Sequence, residues 1–234
     1  KLGSTPVWHQ AAARMPAYFE QARRAHINLK ADVYPYTFWH STIRVLVPDR
    51  DYFNAEKVGR AIVDNGGAAA IRLGKYTPEA ALAGQTLDQV AATWQVTPVE
   101  AYMRIVKATE SEVGSDESME NVLVSSMSED DLRWFIAHPD IMFSSDGELH
   151  GTHPRGAGAF PRVLGRYVRE QKVLPLAAAI HKMSGLPAAQ LGLKDRGRIA
   201  TGYVADLVVF DPAVVIDRST VENPEAPPLG IPDV

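Results

Sequence analysis

Residues 141–147 read Ile-Met-Phe-Ser-Ser-Asp-Gly, an apolar run that stops abruptly on a carboxylate, and His153-Pro154-Arg155 puts a cation close behind it. Three apolar residues without alternation are the pattern of a parallel strand buried on both faces. Such a strand needs parallel neighbours beside it and helices over it, which commits the chain to an α/β architecture. An acid at the carboxyl end of a buried strand, with Gly147 freeing the next turn, is how (β/α) barrels present a catalytic group. Ser-Asp-Gly is also an ordinary turn sequence, so the surroundings must decide.

Those surroundings supply the rest of an α/β repeat. Residues 10–24 carry apolar side chains at helical spacing, although Pro16 weakens the first half. The alternation from Ile27 to Val33 predicts a strand running into Tyr34-Pro35-Tyr36. Ser128-Glu129-Asp130-Asp131 starts a helix expected to reach Ala137, with its acids where the helix dipole favours them, and His138-Pro139 ends it. A helix is expected over Phe160–Glu170, with Arg162, Arg166 and Arg169 on a solvated outer face. Another is expected over Leu176–Ser184, stopped by Gly185, with Pro187 opening a short one after it. His181, inside that helix, suits an exposed or core histidine better than a ligand. Beyond Gly192 the period changes to two, so Gly197–Gly202 and Ala205–Asp211 are predicted as β-strands of a second module.

Residues 45–125 break this rhythm. Gly66-Gly67, Gly74 and Gly84 punctuate short segments, which suggests an insertion between barrel elements. Thr86…Gln89 and Thr97…Glu100 each place a hydroxyl three residues before Gln or Glu, the capping-box pattern, and Pro98 stands at the favoured first helical position. Residues 110–117 read as an acidic, solvated loop, and Val122–Ser125 as a short strand.

Composition excludes several classes. With 234 residues, 46% of them apolar and 22% charged, the chain can bury a sizeable core. A net charge of −4 without a basic cluster argues against nucleic acid and anionic lipid as partners. The absence of cysteine removes disulfides and thiolate metal sites from the chain. No run of about 18 apolar residues offers a membrane span, and the opening residues are not a signal peptide, which leaves the cytoplasm as the default location. The chain lacks an initiator Met and ends where a strand could begin, so a fragment of a longer protein is expected.

Beyond spacing, the residues carry a likeness. Tyr34-Pro35-Tyr36 with Ser41-Thr42, then Met127–Leu132, Ser145-Asp146-Gly147, His153-Pro154-Arg155, Phe160–Gly165, Lys182–Ala188, Gly192–Gly197 and Gly202–Pro212, together resemble the N-acyl-D-amino-acid deacylases, or D-aminoacylases, of the amidohydrolase superfamily. The closing Gly-Xaa-Xaa-Ala-Asp-Leu-Val-Val-Phe pattern is specific only to the superfamily, and the likeness is weakest over about 45–120. The resemblance implies the C-terminal part of a (β/α)8 TIM barrel over residues 1–192, with the insertion, and part of a small β-sandwich over 193–234. It also implies metal-dependent hydrolysis of the amide of an N-acyl-D-amino acid, using one or two zinc ions. Asp146 matches the family's general base and acid, while Lys1, Tyr34, Ser41 and Arg155 match the residues that hold the substrate's α-carboxylate.

The family's metal ligands would lie upstream of Lys1. The resemblance therefore implies no metal ligand in this chain, and a complementary N-terminal portion without which the chain has no deacylase activity. His150 and His153 have a spacing that could serve a metal, but the resemblance places the metal elsewhere. His40, where relatives carry glycine, is expected to alter pocket shape, and Asp206 to be structural. Two alternatives stay open. A cyclic-amide hydrolase of the dihydroorotase or hydantoinase type would share the aspartate without needing the carboxylate clamp, and a non-catalytic remnant or interaction module would need neither.

Overall fold

Ile141–Phe143 is a strand, and its partner runs parallel: Ala31 pairs with Ile141, Asp32 with Met142 and Val33 with Phe143. A computed structural model describes residues 10–111, 114–115, 119–148 and 150–231. The strands are labelled β1 (Ala31–Val33), β2 (Phe38–Ser41), β3 (Ile71–Tyr76), β4 (Glu120–Ser125) and β5 (Ile141–Phe143). The described residues fall into two compact units, one formed mainly by 37–128, the other by 12–36 and 129–231.

In the second unit, helix α1 (Ala11–Arg24) contains Pro16. Its start is tied down when the Ala12 N–H donates to Asp131 Oδ1 at 2.8 Å, which supplies one of the acceptors a helix N-terminus lacks. Phe19 is buried, its ring 4.4 Å from that of His138 and 6.4 Å from that of Trp134. Trp134 lies on α5 (Glu129–Ala137), which spans the residues expected of it, with Glu129, Asp130 and Asp131 in its first turn. The β1 strand is shorter than the sequence predicts, because residues 27–30 lie outside the ladder and Ile27 is exposed. On β5, Ile141 and Phe143 are buried but Met142 is only half-buried, so the strand is not sealed on both faces in this unit.

Three expectations for the second unit are corrected. Helix α6 begins at Arg155 rather than Phe160, runs to Arg162 and continues as a π-helix over Val163–Glu170. Glycine is a poor helix former, but here it provides room. A Cβ on Gly165 would fall 2.3 Å from Ile216 Cδ1 and 2.6 Å from the Val215 carbonyl, so a tail segment seats directly on the helix backbone. The arginines expected on a solvated face are tethers instead. Arg162 Nη1 meets Asp217 at 2.9 Å, Arg169 Nη1 donates to the carbonyls of Val215 and Pro212, and Arg166 faces Glu129 at 3.4 Å.

The expected strands at 197–202 and 205–211 are the third correction, since neither segment forms a ladder among the described residues. Ile199, Leu207, Val208 and Val209 are all exposed. Apolar, β-branched residues specify a strand only where another strand meets their hydrogen bonds. Between α6 and this segment lie α7 (Leu176–Met183), on which His181 is exposed, and α8, which starts at Gly185, before Pro187.

The first unit is an antiparallel sheet in the order β2–β4–β3, covered by α2 (Ala55–Asp64), α3 (Leu87–Trp94) and α4 (Pro98–Ala108). Strand β4 extends the predicted Val122–Ser125 back to Glu120 and is the middle strand, with Val122 and Val124 fully buried. Helix α4 starts as its sequence predicts: the Thr97 N–H donates to Glu100 Oε2 at 2.8 Å, and the Glu100 N–H to Thr97 Oγ1 at 3.2 Å. Glu120 is fully buried, yet its carboxylate accepts from the Thr42 hydroxyl, the Ile43 N–H at 2.9 Å and Arg44 Nη1 at 3.1 Å. Within the expected acidic loop at 110–117, Glu110–Ser111 pairs antiparallel with Gly114–Ser115 as a short ladder, and the rest lies outside the described residues.

Candidate active site

From β5 the chain is steered by two contacts back to β1. The Ser144 N–H donates to the Val33 carbonyl at 3.1 Å and its hydroxyl to Asp32 Oδ2 at 2.6 Å. Asp146 then takes a left-handed conformation, φ +45°, which aspartate tolerates better than most residues. The following loop lies on the first turn of α6 because two glycines leave the space. A Cβ on Gly147 would lie 2.5 Å from Gly156 Cα, and a Cβ on Gly156 would lie 2.5 Å from the Glu148 carbonyl oxygen. Any larger residue at either position would lift Asp146 away from α6.

That close approach sets Asp146 Oδ2 3.0 Å from Arg155 Nη1. Arg155 is only 5% exposed at its side chain, whereas Asp146 is 46% exposed. Salt-bridge distance is satisfied, but the contact lacks hydrogen-bond alignment, so it is an ion pair held by placement. The guanidinium also lies over the Tyr34 ring, 4.8 Å from its centroid, in cation–π contact. Burial pushes the Tyr34 phenol up to about 12, with Arg155 opposing and Asp146 reinforcing the shift. Tyr34 is therefore a neutral hydroxyl at any physiological pH.

His153 is buried and packs against this group. Its Nδ1 accepts the Arg155 N–H at 3.0 Å, and its ring meets those of Tyr34 at 5.9 Å and Tyr36 at 5.1 Å, both edge-on. His150 is exposed and pairs with Glu225 at 2.9 Å. Among the described residues no three His, Cys, Asp or Glu side chains converge to hold an ion. A cleft of about 370 Å3 opens beside the 145–148 loop, lined by Ser145, Gly147, Glu148, His153, Gly156 and Glu225 among others; the Asp146, Arg155 and Tyr34 side chains are not part of its wall.

Asp146, Arg155 and Tyr34 are thus brought together. Lys1 lies outside the described residues. Ser41 is half-buried at the end of β2 in the first unit, where it pairs with Val122. Sequence reasoning missed Tyr36, Ser219 and Arg162, which brace the site from below, and the pairing of Gly147 with Gly156. The glycines were visible as small residues on either side of a motif; the partners of the other three lie far away along the chain.

The sequence signature described as the amidohydrolase family matches residues 59–231, most of the chain. The chain is similar to the N-acyl-D-glutamate deacylase of Alcaligenes xylosoxydans xylosoxydans, 36% identical over 230 residues that make up 97% of this chain and 41% of that protein. It is likewise similar to the D-aminoacylase of the same organism, 35% identical over 216 residues, covering 92% of this chain and 39% of that protein. Among solved structures, the N-acyl-D-glutamate deacylase of Bordetella bronchiseptica, complexed with zinc and a phosphonate inhibitor mimicking the tetrahedral intermediate, superposes with a TM-score of 0.77 at 30% identity. That match covers 98% of this chain and 43% of the other. The chain spans about two fifths of the length of these relatives. The parallel β1–β5 pair, the strand-end aspartate and the family signature lead to one conclusion: the chain belongs to the amidohydrolase family and carries part of the D-aminoacylase fold.

Proposed function

We propose that the protein containing this chain hydrolyses the amide bond of N-acyl-D-amino acids, giving a carboxylate and a D-amino acid, with Asp146 as its proton carrier. The observation that carries this proposal is the half-exposed Asp146 carboxylate held against the buried Arg155 guanidinium at the end of β5. A half-exposed carboxylate can take a proton from an attacking water and return it to the departing amine. Arg155 has five N–H donors in a planar fork, so its single contact with Asp146 does not exhaust it, and that fork suits a substrate carboxylate. Tyr34, a neutral donor against the same guanidinium, completes the described part of the clamp, and Ser41 and Lys1 are assigned to its remainder.

The names of the relatives supply the substrate class, and the zinc of one of them supplies the metal. In this reading zinc is held by a complementary N-terminal portion, where it acidifies water and polarises the scissile carbonyl. We further assign residues 1–192 to a partial barrel with 45–125 inserted, residues 193–234 to part of a β-sandwich, and the protein to the cytoplasm by default. Among the described residues no helix is long and apolar enough to cross a membrane.

The test is an assay of the intact, zinc-loaded protein against N-acetyl-D-amino acids and against hydantoins. Release of free D-amino acid is expected. Turnover of hydantoins with none of the N-acetyl compounds would establish a cyclic-amide hydrolase instead, and no turnover of either would favour an interaction module.

A further inference from the structure

Three donors converge on one carbonyl beside Arg155. The Pro154 oxygen accepts the Gly158 N–H at 2.8 Å, the Ser219 hydroxyl at 3.0 Å and the Tyr36 hydroxyl at 3.4 Å. The first is the bond that opens α6, and a first-turn carbonyl ordinarily needs nothing more. The two hydroxyls come from opposite ends of the unit, one from the Tyr-Pro-Tyr segment and one from the tail, and both residues are buried, at 3% and 6% exposure.

Pro154 C=O and Arg155 N–H belong to one peptide unit, which is planar and stiff. Its carbonyl end is held by the two hydroxyls, and its amide end donates to His153 Nδ1 at 3.0 Å. Gripping both ends fixes the plane from which the Arg155 side chain departs. The tail is itself anchored two residues earlier, where Asp217 meets Arg162 at 2.9 Å, while Arg162 Nε donates to the Pro35 carbonyl at 2.9 Å and its guanidinium lies over Tyr36 at 4.7 Å. Gly158 leaves the necessary space: a Cβ there would come within 2.2 Å of Ser219 Oγ and 2.3 Å of the Tyr36 hydroxyl.

We propose that Ser219 and Tyr36 are positioning residues for Arg155, acting through the Pro154–Arg155 peptide plane, and that they tune binding of the substrate's anionic group. This rests on the assignment of Arg155 to the substrate carboxylate. Both act through Arg155 alone in the contacts described above, and because Asp146 keeps its own strand-end position their loss is expected to appear chiefly in binding.

The experiment measures KM and kcat of the intact enzyme for an N-acetyl-D-amino acid in Ser219→Ala, Tyr36→Phe, Arg155→Met and the two double variants with Arg155→Met. Losing one hydrogen bond is worth about a fivefold effect. Each hydroxyl variant is expected to raise KM roughly fivefold with kcat within about twofold, and to add nothing once Arg155 is gone. A fall in kcat at unchanged KM, or effects that multiply in the Arg155→Met background, overturns the proposal. If Arg155→Met raises KM while both hydroxyl variants match the parent, positioning alone fails and the carboxylate assignment stands. If Arg155→Met leaves KM unmoved, both fail. Should Ser219→Ala not fold, Tyr36→Phe, which removes a single oxygen, decides.

Discussion

The two units each contain a carboxylate paired with a buried arginine, and the pairs differ in what else reaches them. In the first unit Glu120 and Arg44 are both sealed, the carboxylate taking three donors and Arg44 Nη2 donating to the Val106 carbonyl at 2.8 Å. Burial still pushes the Glu120 carboxyl above its ordinary value, the donors and Arg44 only partly offsetting it. In the second unit Arg155 is as buried as Arg44, but Asp146 is nearly half exposed. A saturated pair has no capacity left for a ligand, whereas a half-open one does. The contrast separates a sealed ion pair from an open one without reference to sequence motifs.

Breaking the sealed pair should have the largest effect on folding. Glu120→Ala leaves Arg44 buried without its carboxylate and is expected to cost about 3–5 kcal/mol. Urea denaturation of the intact protein, followed through the buried Trp39, reads this directly. The surviving folded molecules should keep their kcat, and a loss of stability under about 1 kcal/mol would remove the distinction between the pairs.

Lys182 offers an intermediate case, a buried cation held by the Ile136 and His138 carbonyls and placed over the Phe143 ring at 5.0 Å. Burial lowers it from the ordinary lysine value to about 8. The unfolded chain then binds the extra proton between about pH 8 and 10.5, so stability should rise with pH across that window, by at most about 3 kcal/mol. Lys182→Met should flatten the rise in a pH series of urea midpoints. An unchanged slope in that variant would assign the rise to other groups.

The open pair should respond in the opposite manner. Arg155→Lys keeps the charge but loses the planar fork and the stacking on Tyr34. It is expected to raise KM roughly tenfold while shifting stability by no more than about 1 kcal/mol. A variant with normal KM and a large stability loss would make Arg155 a second Arg44.

What the sequence made legible was local. The Thr97–Glu100 capping box and the acidic first turn of α5 depend on residues within one turn of each other, and both form as expected. So does the strand at 141–143, whose apolar run needs only a partner. Helix α6 was misplaced because Gly156 and Gly158 weaken its first turn, and what compensates is contact with Glu148, Tyr36 and Ser219. Arg162 and Arg169 looked solvated because helical spacing cannot reveal a tail that docks from 212–217. The apolar run at 207–210 has strand composition, but a ladder requires a neighbour, and one segment does not supply it. For the candidate site, the motif pointed to Asp146 and Arg155, which the structure places 3.0 Å apart, while the glycine contact beside them is a property of the fold.

The most direct test of the central claim is single-turnover hydrolysis by Asp146→Asn in the intact, zinc-loaded enzyme, with binding of a phosphonate analogue measured alongside. Asparagine preserves shape and removes the base. The proton-carrier role predicts analogue affinity within a few-fold of the parent and a chemical step slowed by about a thousandfold or more. A near-parental rate would show that the carboxylate at the end of β5 is not the group that moves the proton.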